Sequence, residues 1–253
     1  YTLTLDGEAD GTGVTTDGYA VNIDGIIGTD LNLTITTAAT TTIDLNASSG
    51  TVRNLTINHA SCVAQLDTSF QCLNLTITSG ELDLDGAGNL IVSGLTVVGS
   101  GGAEDAATLN GTDMAVTLGS GVTTDYGLSV LQGGTFTCSG SPTHIMGSIS
   151  VANNAHAKCT LTAGSTTING EHTGDNRCIN VKGTDGVLTH NSGTIAITRA
   201  GSAGMQKLSG TLPLNNLTIN HGSANISQKS HLTLAGTLTV TAGTFTTGSN
   251  YAL

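Results

Sequence analysis

The tightest cluster of residues able to hold a metal or move a proton is Glu171-His172 with Asp175. Two carboxylates and an imidazole this close together could ligate a divalent ion or work as an acid–base pair. The cluster lies in the Gly-rich stretch from Gly170 to Arg177, and a solvated turn accounts for the same residues. Glu81-Leu82-Asp83-Leu84-Asp85-Gly86 carries the alternating oxygens of a calcium loop, but the distant Glu that such a loop requires falls at Val92. Leu82 and Leu84 make a good inward pair, so a strand with acidic outer positions is the expected structure. Asp83 with Asp105 is a candidate pair for glycan hydrolysis, which needs two acids about 5 to 9.5 Å apart across a groove. No motif selects that pair. Lys and Arg, which a lyase would want beside a carboxylate, number only 7.

Cys138, Cys159 and Cys178 are spaced by 21 and 19 residues. That spacing allows a column of small buried thiols, a bridge between neighbouring strands, or a metal site. Three thiols in a straight column do not make a tetrahedron, and stacked strands bring Cα atoms near the lower limit for a disulfide. The 7 His are scattered and read as solvated turn residues, with His59 and His221 at matching corners. No nucleophile elbow, phosphate loop or dinucleotide fingerprint is present in the sequence. The expectation is a protein without catalytic, cofactor-binding or metal residues, needing no cofactor and doing no catalysis.

The elements that would position these groups are written in a repeat. Asn32-Leu33-Thr34-Ile35 returns as Asn54-Leu55-Thr56-Ile57 and Asn74-Leu75-Thr76-Ile77, and fades into Gly94-Leu95-Thr96-Val97. Asn216-Leu217-Thr218-Ile219-Asn220-His221 echoes Asn54 to His59. Val116, Leu128, Ile149, Ile168, Ile179, Ile195 and Leu238 sit in similar apolar–polar–apolar phrases. A step of about twenty residues carrying a short β phrase predicts an all-β fold, a parallel β-helix (β-solenoid) with coils of about 20–22 residues. Strand alternation puts Leu33, Leu55, Leu75 and Leu95 in one interior column, with Thr34, Thr56, Thr76 and Thr96 outside. Residues 1–253 read as a single solenoid, possibly a section of a longer chain, with looser segments at Gly99 to Ala107, Gly170 to Arg177 and Gly201 to Lys207.

Composition agrees with that architecture. There are 35 Gly, 2 Pro and no Trp, and a strand-rich chain avoids Pro because it removes a ladder donor. Asn-x-Ser/Thr sequons and Thr-x-Thr pairs recur, but both follow from Asn at strand starts and Thr on an outer face. Unequal coils argue against the flat Thr grid of an ice-binding surface. A net charge of −11 disfavours nucleic acid and anionic lipid, and no apolar run reaches the length of a membrane span. Tyr1-Thr2-Leu3-Thr4-Leu5 and Asn250-Tyr251-Ala252-Leu253 are strand phrases without caps, so the expectation is that both ends are covered by more polypeptide or by neighbouring subunits.

The stretch from Leu232 to Thr247, with Asn216 to Asn220, resembles the Gly/Thr/Asn-rich β-strand repeats of phage and bacterial surface proteins, such as tail-fibre and capsid-decoration proteins and large adhesins. The resemblance is compositional and periodic, and it covers most of the chain. It implies a structural or adhesive role on a virion exterior, as a capsid decoration or tail appendage. It also implies a homo-oligomer or end-to-end assembly with neighbouring proteins, without membrane insertion, and allows a glycan receptor. The alternatives are an adhesin segment at a bacterial cell surface and a tailspike-like enzyme that depolymerises glycan.

Overall fold

The computed structural model describes residues 2–5, 30–36, 40–43, 52–66, 69–84, 89–100, 102, 106–122 and 124–253. Among the described residues there is no helix; the regular structure is β-strand. Twenty-one of the 23 described strands join one hydrogen-bonded sheet, and Thr211–Leu214 pairs with His231–Leu234 in a second. Every pairing between these strands is parallel.

The pairings follow three ladders. The first runs through Leu3, Leu33, Leu55, Leu75, Thr96, Leu128, Ile149, Ile179 and Met205. The second runs through Leu82, Leu109, Phe136, Cys159 and Leu188. The third runs through Val92, Leu118, Met146, Ile168, Ile197, Ile219 and Val240. Parallel strands cannot be joined by a tight hairpin, so the chain visits other ladders before it returns to a given one. Inward residues of the three ladders meet in one apolar core, in which Leu33, Leu55, Leu75, Leu128, Ile149 and Ile179 are 0% exposed. The interior also takes rings, with Phe70 and Phe136 buried.

Two expectations need correction. Paired residues are not all 20–22 apart: Thr96 to Leu128 spans 32 residues, and Ile149 to Ile179 spans 30. Those long steps include residues 119–122, 124–127 and 169–176, which lie outside the ladders. Gly201–Lys207, expected to be loose, is a strand paired with both Arg177–Val181 and Asn216–Gln228.

The column of leucines also ends one member early. Leu33, Leu55 and Leu75 stack as expected, but Leu75 pairs with Thr96 rather than Leu95. Thr96 is 0% exposed and Leu95 is half-buried outside the strand. A one-residue slip sends every side chain to the opposite face. Its local cause is the Asn ladder. Asn54 Nδ2 donates to Asn32 Oδ1 at 2.6 Å, and Asn74 Nδ2 donates to Asn54 Oδ1 at 2.9 Å. The ladder stops at Asn74, whose Oδ1 accepts the Leu95 N–H at 3.0 Å. Asn216 Oδ1 accepts the Thr237 N–H at 2.9 Å in the same way, and the core position is then Leu238. Gly94-Leu95-Thr96 therefore matches Gly236-Thr237-Leu238, and Thr96 stands where a leucine would fit.

The echo between Asn54–His59 and Asn216–His221 marks a corner, not a ladder. Asn54 to Ile57 lies on the first ladder and Asn216 to Ile219 on the third. In both copies the His closes the turn: His59 Nδ1 accepts the Ser61 N–H at 3.1 Å, and His221 Nδ1 accepts the Ser223 N–H at 3.3 Å. The next strand lays a glycine on this corner. Gly80 has φ +88°, and a Cβ there would sit 2.4 Å from the His59 carbonyl oxygen and 2.7 Å from that of Cys62. Gly243 has φ +93°, with the His221 and Ala224 carbonyl oxygens at 2.6 and 2.7 Å.

The packing sets three outcomes for stability. Thr96 buries a hydroxyl Oγ that has no hydrogen-bond partner, so Thr96→Val should raise the urea unfolding midpoint, by about 1 kcal/mol of stability. Gly80→Ala and Gly243→Ala should each cost about 2 kcal/mol or more, because the left-handed backbone and the carbonyl contact both penalise a Cβ. Gly222→Ala, whose Cβ would meet nothing within 4 Å, should stay within about 0.5 kcal/mol.

Candidate functional site

The outward column of the first ladder changes character along its length. It reads Thr34, Thr56, Thr76 and Val97, then Ser129, Ser150, Asn180 and Gln206. The three Thr are half-buried, whereas Ser150 and Asn180 are each 3% exposed. Outward residues become buried only when something covers them. Asn180 is covered by Tyr126, from the segment after the strand Val116–Leu118, and by Asp175, from the segment before Arg177–Val181.

These residues form one network. The Tyr126 hydroxyl donates to Asp175 Oδ2 at 2.5 Å and accepts from Asn180 Nδ2 at 2.8 Å. Asn180 Nδ2 also reaches Asp175 Oδ2 at 2.8 Å, and its Oδ1 accepts from Gln206 Nε2 at 2.9 Å. His172 Nδ1 lies 2.9 Å from Asp175 Oδ1, and its ring stacks on Tyr126 with centroids 4.6 Å apart. Arg177 Nη1 donates to the Asp175 carbonyl at 2.8 Å. Lys182 Nζ stands 5.6 Å from the centre of the Tyr126 ring. The backbones of His172 and Arg177 exchange hydrogen bonds, closing the segment into a small antiparallel turn.

Burial and the Asp175 carboxylate push the Tyr126 phenol well above its ordinary range. Burial would raise Asp175, but the Tyr126 hydroxyl, His172 and Arg177 outweigh it and hold Asp175 below the usual 3.8. A tyrosine and a histidine on a carboxylate, with an arginine beside it and a lysine over the tyrosine ring, are residue types that a glycan lyase would use. Here the phenol is 6% exposed, and its oxygen is engaged by both Asp175 and Asn180. The arrangement works as a clasp that ties two off-ladder segments to the first ladder.

The residues singled out in the sequence are placed as follows. Glu171 does not join His172 and Asp175; both its oxygens bind Arg199, at 2.8 and 2.7 Å. Among the described residues no group of three His, Cys, Asp or Glu is arranged to hold a metal. Leu82 and Leu84 are buried as an inward pair, and Val92 is a core residue of Leu90–Val92. Asp85, and Asp105 as partner of Asp83, lie outside the described residues. The Thr faces are interrupted: on the third ladder Thr117 is followed outward by Ile145, Thr167, Ala196, Thr218 and Thr239.

The cysteines do not share a column. Cys159 pairs with Phe136 and Leu188, and Cys178 sits at a register shift on the first ladder. Unequal steps move residues with near-equal spacing onto different ladders. All five thiols are unbridged and buried. Burial pushes Cys62 and Cys138 up to about 11, and Cys72 and Cys178 up to about 12, so these thiols are poor nucleophiles. His144 departs from the turn reading: it is 0% exposed, and burial lowers it to about 4. Tyr126, Asn180, Arg177 and Lys182 carried no motif, because the clasp joins residues up to 54 positions apart.

No family model, curated protein or solved structure matches this chain.

The clasp makes a titration prediction. Asp175 is held below its ordinary value, so the stability it contributes is complete above about pH 4 and is lost as pH falls further. Asp175→Asn should flatten that acid limb in urea midpoints and cost about 1 kcal/mol near neutrality, the exposed edge of the carboxylate being screened. In alkaline titration followed at 295 nm, Tyr126 should resist ionisation, and Asp175→Asn should lessen that resistance without abolishing it, because burial is the larger cause.

Proposed function

We propose that the three ladders are the faces of a β-solenoid and that the chain is a structural, non-catalytic element of an exterior assembly, in the first instance a capsid decoration or tail appendage of a virion. The ladder pairings support the architecture. The observation that carries assembly is the last rung. Leu238–Thr246 pairs with Asn216–Gln228 along one edge, and no other strand among the described residues pairs with it. Ile219 is 0% exposed beneath its partner, whereas Val240 in that outer rung is 45% exposed, and Leu238 and Phe245 are only partly covered. Residues with core spacing on an open parallel edge call for a further rung. In the assembly proposed here a neighbouring subunit supplies that rung. The acidic surface and the likeness to Gly/Thr/Asn-rich surface repeats support the exterior location. The bacterial adhesin reading shares this architecture and differs only in the particle that carries it.

Sedimentation of the 253-residue chain at micromolar concentration tests the assembly. Association that is weakened by Val240→Lys is the expected result. A monomer at every concentration contradicts it. Incubation with host polysaccharide separates the rival enzyme: no release of reducing or unsaturated ends is expected, and release abolished by Asp175→Asn would favour a depolymerase.

A further inference from the structure

Cys138 follows the strand Gly134–Thr137, and His144 lies within Thr143–Met146, so the turn 139–142 folds the two side chains together. Cys138 Sγ and His144 Nε2 are 3.6 Å apart, and the residues are 3% and 0% exposed. The His144 ring meets Phe136 edge-on at 5.9 Å, which fixes its orientation. Its Nδ1 is buried without a hydrogen-bond partner among the described residues. Sγ also lies 3.1 Å from the Thr112 and Ser139 carbonyl oxygens. Ser139, Gly140 and Ser141, in the turn that joins the pair, are exposed.

We propose that Cys138 and His144 form a two-donor site for a monovalent soft metal ion, Cu(I) in the first instance. With metal–sulfur and metal–nitrogen bonds of about 2.3 and 2.0 Å, donors at this separation span one edge of a tetrahedron, and a linear arrangement needs them to part by roughly 0.7 Å. Zn(II) wants four donors, and no third His, Cys, Asp or Glu joins the pair among the described residues. A thiolate and an imidazole suit a d10 ion that accepts two ligands, and thiolate selects Cu(I). Binding exchanges the thiol proton for the metal: the S–H bond breaks, the proton goes to buffer, an S–Cu bond forms, and Nε2 donates its lone pair. No electron is transferred. Among the described residues, Cys138 is the thiol that meets an imidazole.

The test loads the full chain anaerobically with Cu(I) and challenges it with a chromogenic Cu(I) chelator. Wild type should retain one equivalent; Cys138→Ser and His144→Phe should lose it, and Cys159→Ser should keep it. Far-UV circular dichroism checks the fold of each variant. Titration of wild type with Ag(I), followed by 15N NMR of the histidines, needs no variant and should shift the Nε2 resonance of His144 alone. The proposal is overturned if wild type retains no Cu(I), if Cys138→Ser retains as much as wild type, or if Ag(I) leaves the His144 resonance in place.

Discussion

The register of each parallel pairing is the constraint on which the rest depends. Backbone hydrogen bonds alone tolerate a slip, because every residue offers the same N–H and C=O. Side chains do not, since a slip of one residue turns the inner set out. Here the register is held from both sides. Inside, Leu, Ile and Val stack on one another with almost no exposure. At the strand starts, Asn32, Asn54 and Asn74 bond in series and cap the next turn. At the corners, Gly80 and Gly243 fit against carbonyls that admit no Cβ.

Much of this was legible in the sequence. Phrases such as Leu33-Thr34-Ile35 gave strands, inward and outward faces, and parallel stacking in the first ladder. The core positions Val116, Leu128, Ile149, Ile168, Ile179 and Ile195 were readable from alternation alone. What escaped was where the spacing is broken. Thr96 reads as an outer Thr until the cap on Leu95 shifts the frame. Asn216 repeats the phrase of Asn54 yet lies on a different ladder, because the phrase encodes a corner whose His–Ser hydrogen bond is local. Near-equal spacing of Cys138, Cys159 and Cys178 meant nothing once steps of 30 and 32 residues intervened.

The candidate site was legible only in part. His172 and Asp175 do meet, but they serve Tyr126 and Asn180 rather than Glu171. That partnership depends on two segments leaving the ladders and returning over the same outer face. The physical consequence is a surface of two kinds: a half-buried Thr face on the early rungs, and a later rung whose buried Asn180 sits beneath bonded segments.

The register itself can be measured by cross-linking. Thr76 and Val97 are paired outward residues of adjacent strands on the first ladder, and paired strands bring Cα atoms within the range that a disulfide spans. The double variant Thr76→Cys with Val97→Cys should oxidise to a single intramolecular bridge, while Thr76→Cys with Thr96→Cys should remain reduced, because Thr96 faces the core. Bridging of the second pair in place of the first would show that the outer column continues through Thr96, and the account of the ladders would be wrong.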